Sequence, residues 1–475
     1  MSKFYITTPI FYPNANLHLG HAYTTTICDI LARYHRLAGD KTYLLTGSDE
    51  NTEKVVRSAK SVGKETKEYL DEITANFKGL FSKLEISYDQ FIRTTDEVNH
   101  YPGAIELWNR IVKNGDLEKR SYKGLYCVGH EAFITEKDLM DGKCPDHNEA
   151  PEVLEEENWF FKLSKYTGVI KEKILSNEFK IVPESRRNEI LAQLDRGLED
   201  VSFSRPASKV SVGIPVPNDP SQKIYVWCDA LSNYITALGF GRKEDGLYKE
   251  FWPADVQVIG KDILRFHAAI WPAMLLSAGL PLPKTLLVHG FITSGGKKMS
   301  KSLGNVIDPI ELINEYGAEA VRYYLARHIS PFEDGDITKE SFKNAYNADL
   351  VNGLGNLVSR VMRMASQYLD KPVDLSDKRQ PTSLSEWIDK FEFHNALIAC
   401  GSDMSIIDEL IQKERPFEIV KTDKEKAKLR VSYYLKEIYR ISENLEPFMP
   451  ETAKEIQRLI KENKMPEKPL FPRKD

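Results

Sequence analysis

His18 and His21 stand three residues apart where a strand gives way to a helix, so both imidazoles share one face of the first turn. A helix start already favours phosphate through its free amides and its dipole. Imidazole donors add charge stabilisation where an α-phosphate becomes pentacoordinate. Gly20 between them lacks a Cβ and lets a flat purine approach the backbone. Much later in the chain, Lys298, Ser300 and Lys301 follow the Gly295-Gly296 pair. A lysine loop hinged on two glycines can grip a triphosphate and release pyrophosphate. Each stretch alone has a plainer meaning: His-x-x-His is more often surface or part of a metal site, and a Lys/Ser run is usually a solvated loop. Both in this order on one α/β chain point to activation of a substrate with ATP.

The elements that must hold these loops are legible in outline. Residues 4–8 are β-rich, 9–16 form a Pro/Asn loop, a helix runs over 19–37, and 43–46 is a second apolar strand. Strand–helix–strand alternation predicts a Rossmann-like α/β fold with a parallel sheet, whose switch point is where nucleotides bind. After Gly115 the pattern changes to short strands and acidic loops, read as an inserted connective module. α/β character resumes at 224–227, 256–260 and 285–290. From about 336 the chain turns helical, with apolar spacing over 351–368, 386–404 and 424–441, a Pro-initiated helix start within 445–453, and a tail from 466 expected to fray. The division expected is 1–115 and 223–284 for the two catalytic halves, 116–222 for the module, 285–340 for a stem-contact region with the lysine loop, and 341–475 for a helical bundle.

With 475 residues the chain is too long for a single core. Hydrophobic content of 41% against 28% charged residues is ordinary for a globular protein, and no apolar run approaches membrane-spanning length. The start, Met1-Ser2-Lys3-Phe4, reads directly into a strand without a signal core. Five scattered cysteines argue against a disulfide framework, so a reducing cytoplasm is the default. A net charge of −5 does not nominate a nucleic-acid binder by itself, and the case must rest on sites.

His18-Leu19-Gly20-His21 and Lys298-Met299-Ser300-Lys301-Ser302 together resemble the paired ATP signatures of class I aminoacyl-tRNA synthetases. Within that class the likeness is to the methionine enzymes and runs nearly end to end. It rests on residues 8–15, on Leu45 to Glu50, on Val226-Trp227-Cys228-Asp229-Ala230-Leu231-Ser232-Asn233-Tyr234, and on Gly260-Lys261-Asp262-Ile263-Leu264-Arg265-Phe266-His267. The resemblance implies that Asp49 binds the substrate ammonium and that Ile10, Trp227, Ala230, Tyr234, Ile263, Phe266 and His267 form the side-chain pocket. A thioether is polarizable and a weak acceptor, so aromatic walls with polar tips at Tyr234 and His267 suit it. Gly260 and Asp262 are implied at the ribose and adenosine. One departure stands out: where the family often reads Asp-Glu-His-Gly, this chain has Asp49-Glu50-Asn51-Thr52, and Asn51 cannot carry a proton.

Cys127-Val128-Gly129-His130 and Cys144-Pro145-Asp146-His147 make two paired-ligand turns that fit a closed tetrahedral Zn²⁺ site. In the helical end, Asn356 and Arg360 lie one turn apart and can reach base edges; the resemblance assigns them to a CAU anticodon, with Pro416-Phe417 standing where relatives carry Pro-Trp. The expected partners are L-methionine, ATP with Mg²⁺, tRNA(Met) and initiator tRNA, with no membrane and a monomeric chain. Rival readings are a class I synthetase for cysteine, leucine, valine or isoleucine, a non-catalytic tRNA-binding paralogue, and a small-molecule nucleotidyltransferase. The insertion is short for the editing domain of branched-chain enzymes, and aromatic pocket residues do not suit a thiolate-capturing metal.

Overall fold

A computed structural model of the chain describes residues 2–127, 132–134, 136, 139–145, 148–299, 305–376 and 384–474. They form two compact units: Met1–Asn16, Ala38–Lys78 and Tyr88–Val288 make the first, and Leu17–Leu37, Gly79–Ser87 and His289–Asp475 the second.

The first unit is built on a six-stranded sheet in the order Gln90–Arg93, Lys41–Ser48, Lys3–Phe11, Val256–Gly260, Thr285–His289, Lys180–Val182. Strand Lys3–Phe11 pairs in parallel on both sides. Phe4 through Pro9 are all buried, as a strand covered on both faces requires. The chain builds outward from Lys3–Phe11 to Gln90–Arg93, then resumes on the other side at Val256–Gly260. The switch point therefore lies between Lys3–Phe11 and Val256–Gly260. The expected loop over 9–16 starts later than its sequence suggests. Pro9 stays in the strand because the register shifts between Thr7 and Ile10, where a residue without an N–H breaks no ladder bond.

The stretch after Gly115 forms a four-stranded antiparallel sheet, Ala132–Ile134, Leu117–Cys127, Glu152–Phe161 and Val201–Ser202, and a three-stranded one built on Asp219–Ile224. It also supplies Lys180–Val182 to the edge of the parallel sheet, paired with Thr285–Leu287. Its Phe161, Ile181 and Phe203 share one apolar core with Tyr5, Trp108 and Trp271.

In the second unit, helix Leu19–Leu37 has the expected bounds. Its fully buried Asp29 accepts from Arg322 at 2.7 Å and Arg33 at 2.7 Å, and from the Ser87 amide at 2.7 Å. Arg322 also donates to the carbonyls of Leu84, Pro447 and Phe448. A buried ion pair persists only when its other donors and acceptors are satisfied, and here they are. Helical structure runs without a break through Lys339–Ala345, Tyr346–Gly355 and Asn356–Tyr368, the middle segment wound as a π-helix. The helix expected over 386–404 is instead split: Ser385–Ile388 ends at a bend where Phe391 takes φ 62°, and Phe393–Glu414 follows. Pro450 opens the last helix, Pro450–Glu462. The tail does not fray. Phe471 is buried against Tyr346, whose hydroxyl donates to the Pro472 carbonyl at 2.8 Å, and Asn347 donates to the Lys474 carbonyl at 2.9 Å.

Candidate functional site

In the first unit, the expected pocket residues Trp227, Tyr234, Phe266 and His267 meet in one aromatic cluster. Trp227 and Phe266 stack with ring centroids 3.7 Å apart and planes 9° from parallel, and Trp227 meets His267 edge-on. Phe266 and His267 stand on a π-helical turn, Phe266–Ile270, directly after the Lys261–Ile263 turn that carries Asp262. His267 Nδ1 lies 3.0 Å from the Ile263 carbonyl, so that nitrogen holds the proton. Its Nε2 then accepts from the Tyr234 hydroxyl at 2.7 Å. Burial holds His267 down to about 4, so the ring is neutral at physiological pH. The pair therefore offers a polar but uncharged tip among aromatic walls. Ala230 shares helix Val226–Leu231 with Trp227, and Gly260 closes its strand at the switch point. Ile10 packs on the same core beside Gly47, where a Cβ would stand 2.2 Å from the Ile92 carbonyl oxygen and 3.0 Å from Ile10 Cγ2.

Asp49 is buried at the end of Lys41–Ser48, its amide donating to the Phe11 carbonyl at 2.9 Å. Glu50 beside it is compensated internally by Arg93 at 2.7 Å, Ser48 at 2.6 Å and Thr95. Asn51 resolves the departure in the sequence. Its amide nitrogen donates to the Thr94 carbonyl and to Asp229, both at 2.8 Å. Asp229 accepts from His100 at 2.5 Å, and the other nitrogen of His100 lies 2.8 Å from the Thr236 hydroxyl. Asn51 thus bridges the turn bearing Asp49 to the helix bearing Trp227. That bridge and His100 escaped the sequence reading, which had Asp229 only as part of a resembling block and Asn51 only as a departure.

In the second unit, the His18 and His21 rings lie close together, centroids 3.9 Å apart and planes tilted by 37°. The Gly20 amide donates to His18 Nδ1 at 3.0 Å, and the His18 amide donates to His21 Nδ1 at 3.1 Å. Both rings therefore accept at Nδ1 and keep their proton at Nε2. Burial, with the His18 and His289 rings nearby, holds His21 well below the ordinary imidazole value. A Cβ on Gly20 would come within 2.9 Å of the His18 ring, so a larger residue there would have to displace that ring. Buried Thr24, one turn on, lies 3.0 Å from the Gly20 carbonyl and 2.7 Å from His289 Nε2.

Gly295 and Gly296, expected as a hinge, sit in a defined turn. With φ of 64° and 72° they are the two central residues of a tight hairpin turn joining Ile292–Ser294 to Lys297–Lys298. Positive φ at both positions is what a type I′ turn demands and what glycine supplies. Lys298 pairs with Thr293 through the backbone. Ser300 and Lys301 lie outside the described residues.

The helical end brings Asn356, Arg360 and Phe417 to one open pocket of about 350 Å³, lined also by Arg363, Met364 and Tyr368. Asn356 is exposed, Arg360 is braced by Asp408 at 2.6 Å, and Phe417 is 45% exposed. An aromatic face left this open suits stacking better than core packing. Buried Pro416 starts the short helix Pro416–Ile419 and fixes Phe417 after it.

Of the four expected metal ligands, Cys127 and Cys144 are buried and in no disulfide. Cys144 heads a tight turn, its carbonyl accepting from the Asn148 amide at 2.7 Å. His130 and His147 lie outside the described residues, and among those described no three ligand-type side chains cluster.

The family model described as tRNA synthetases class I (M) matches residues 4–150 and 137–362. The chain is 44% identical over 468 residues to the methionine–tRNA ligase of Caldanaerobacter subterraneus, covering 95% of this chain and 73% of that protein. It is 45% identical to the methionine–tRNA ligase of Clostridium acetobutylicum, covering 96% and 73%. Its fold matches that of Mycobacterium tuberculosis methionyl-tRNA synthetase in complex with methionyl-adenylate with a TM-score of 0.90 at 35% identity, over 97% of this chain and 94% of that one.

Proposed function

The chain belongs to the methionyl-tRNA synthetases of class I, and on that premise we propose how its sites divide the work of a methionine–tRNA ligase. The reaction has two steps. The methionine carboxylate attacks the α-phosphorus of ATP in line, forming methionyl-adenylate and expelling pyrophosphate. A hydroxyl of the tRNA terminal adenosine then takes the methionyl group and AMP leaves. No covalent enzyme intermediate is needed, so positioning and electrostatics carry the rate.

The observation that carries the choice of methionine is the neutral Tyr234–His267 tip against the Trp227–Phe266 stack. A charged tip would favour a charged side chain, and a purely aliphatic wall would not distinguish a thioether from a methylene. Asp49 receives the ammonium, with Ile10, Ala230 and Ile263 completing the wall. Gly260 and Asp262 face the ribose and adenosine. His18 and His21 donate their Nε2 protons to the α-phosphate, and Lys298 and Lys301, with Ser300, hold the departing phosphates. Mg²⁺ enters with the triphosphate.

Asn356, Arg360 and Phe417 read the anticodon of tRNA(Met) and of initiator tRNA. Arg360→Ala is expected to lower kcat/KM for tRNA charging by about 10- to 100-fold while leaving methionine-dependent pyrophosphate exchange unchanged. Equal losses in both assays would contradict an anticodon role.

Cys127 and Cys144, with His130 and His147, hold a structural zinc in our reading. Two buried thiols, one heading a tight turn, fit that donor set. Such a metal clamps the fold and supplies no chemistry. Elemental analysis is expected to find one zinc per chain, lost in Cys127→Ser; absence of stoichiometric zinc would contradict it. We retain the five-part division of the chain given above. We place the chain in a reducing cytoplasm, the default for five scattered cysteines, and no helix among the described residues is long and apolar enough to cross a membrane. A monomer is our reading of the oligomeric state.

A further inference from the structure

We propose that Asp336 is a positioning residue for adenylate formation: its carboxylate clamps the turn of the lysine hairpin and so fixes the backbone that carries Lys298. The inference rests on the role given above to that lysine.

The hairpin is too small to hold its own shape. Its strands have three and two residues, and an isolated two-stranded hairpin is marginal in water even when longer. What completes it is the two-residue strand Gly335–Asp336, which pairs in parallel with Ile292 and Thr293. The Gly335 amide donates to the Phe291 carbonyl at 2.8 Å and the Ile337 amide to the Thr293 carbonyl at 3.0 Å. The approach is close. A Cβ on Gly290 would stand 2.2 Å from the Glu333 carbonyl oxygen, so only glycine lets the two segments meet.

On this small sheet Asp336 Oδ1 reaches over to the turn and accepts the Gly296 amide at 2.8 Å. The Thr293 hydroxyl lies 2.8 Å from the same oxygen and 3.0 Å from the Gly335 carbonyl, its single proton shared between the two acceptors. Gly296 is the second central residue of the turn, and Lys297–Lys298 follows at once. Fixing the Gly296 amide therefore fixes where the lysine strand begins. A charge-assisted bond to a backbone amide is among the stronger of its kind.

Asp336 has little other work. Its side chain is exposed, and the next helix starts on its own capping box between Thr338 and Ser341. Removing the carboxylate should loosen the hairpin while leaving the core intact. The cost should fall on the step in which the lysine strand grips the triphosphate.

The test uses the full chain in methionine-dependent ATP–pyrophosphate exchange. Asp336→Ala is expected to raise KM for both ATP and pyrophosphate about tenfold, the equivalent of one charge-assisted hydrogen bond, with KM for methionine unchanged. Asp336→Asn keeps an oxygen acceptor at the same place and should recover most of the loss. Transfer from preformed methionyl-adenylate to tRNA should be unaffected, because the triphosphate has already gone. Wild-type KM for ATP and pyrophosphate in Asp336→Ala would overturn the proposal. So would a joint rise in all three KM values with a lowered Tm, which would mark general destabilisation. Absence of exchange in the unaltered protein would overturn the reading of the site itself, and this proposal with it.

Discussion

Replacing His21 with alanine is expected to lower kcat for methionine-dependent ATP–pyrophosphate exchange by ~10²- to 10³-fold, with little change in KM for methionine. That magnitude is typical for loss of one preorganised donor aimed at charge that develops only in the transition state. The preorganisation here is specific. Backbone amides of the same turn occupy Nδ1 of both His18 and His21, leaving each ring its proton at Nε2. Burial lowers His21, so in the proposed role its ring donates as a neutral imidazole. A pH consequence follows with a definite sign. His21 titrates below the ordinary imidazole value of about 6.5, so the active neutral form persists as pH falls through that value. The acid limb of kcat should therefore lie well below the ordinary imidazole value. Protonation there forces a proton onto Nδ1 and breaks the bond from the His18 amide. An acid limb centred at or above 6.5 would show that a charged imidazole is the working form.

The second large effect is expected at Asp49. Asp49→Asn should raise KM for methionine by ~10²-fold, because it removes the buried carboxylate proposed to meet the substrate ammonium while preserving size. KM for ATP should change little. The reverse pattern, a selective loss of ATP affinity, would place Asp49 at the nucleotide instead. Because Asn51 ties the turn after Asp49 to Asp229, a smaller loss from Asn51→Ala would arise through orientation of Asp49 and Trp227.

The signatures, the parallel sheet and the helix over 19–37 were legible because each is local: a spacing, an alternation, an apolar period. What escaped the sequence depends on partners far away in the chain. Asn51 stood only as a departure from the family pattern, and its role was hidden because its partner, Asp229, lies 178 residues on. Gly295-Gly296 reads equally well as a hinge or a turn. Strands of two or three residues leave too little alternation to choose between them. The tail was expected to fray on composition, yet one buried phenylalanine and three hydrogen bonds tie it down. The insertion looked separable because its strand pattern changes at Gly115. Its edge strand and its aromatic residues nevertheless complete a core begun elsewhere. The pocket residues were found through family likeness; which nitrogen of each histidine carries the proton could come only from geometry.

The most direct test of the central claim is ATP–pyrophosphate exchange with purified protein, screened over all twenty amino acids. A neutral Tyr234–His267 tip among aromatic walls, with Asp49 for the ammonium, predicts strong exchange with methionine and only weak exchange with leucine or isoleucine. No exchange with methionine, or stronger exchange with any other amino acid, would contradict it.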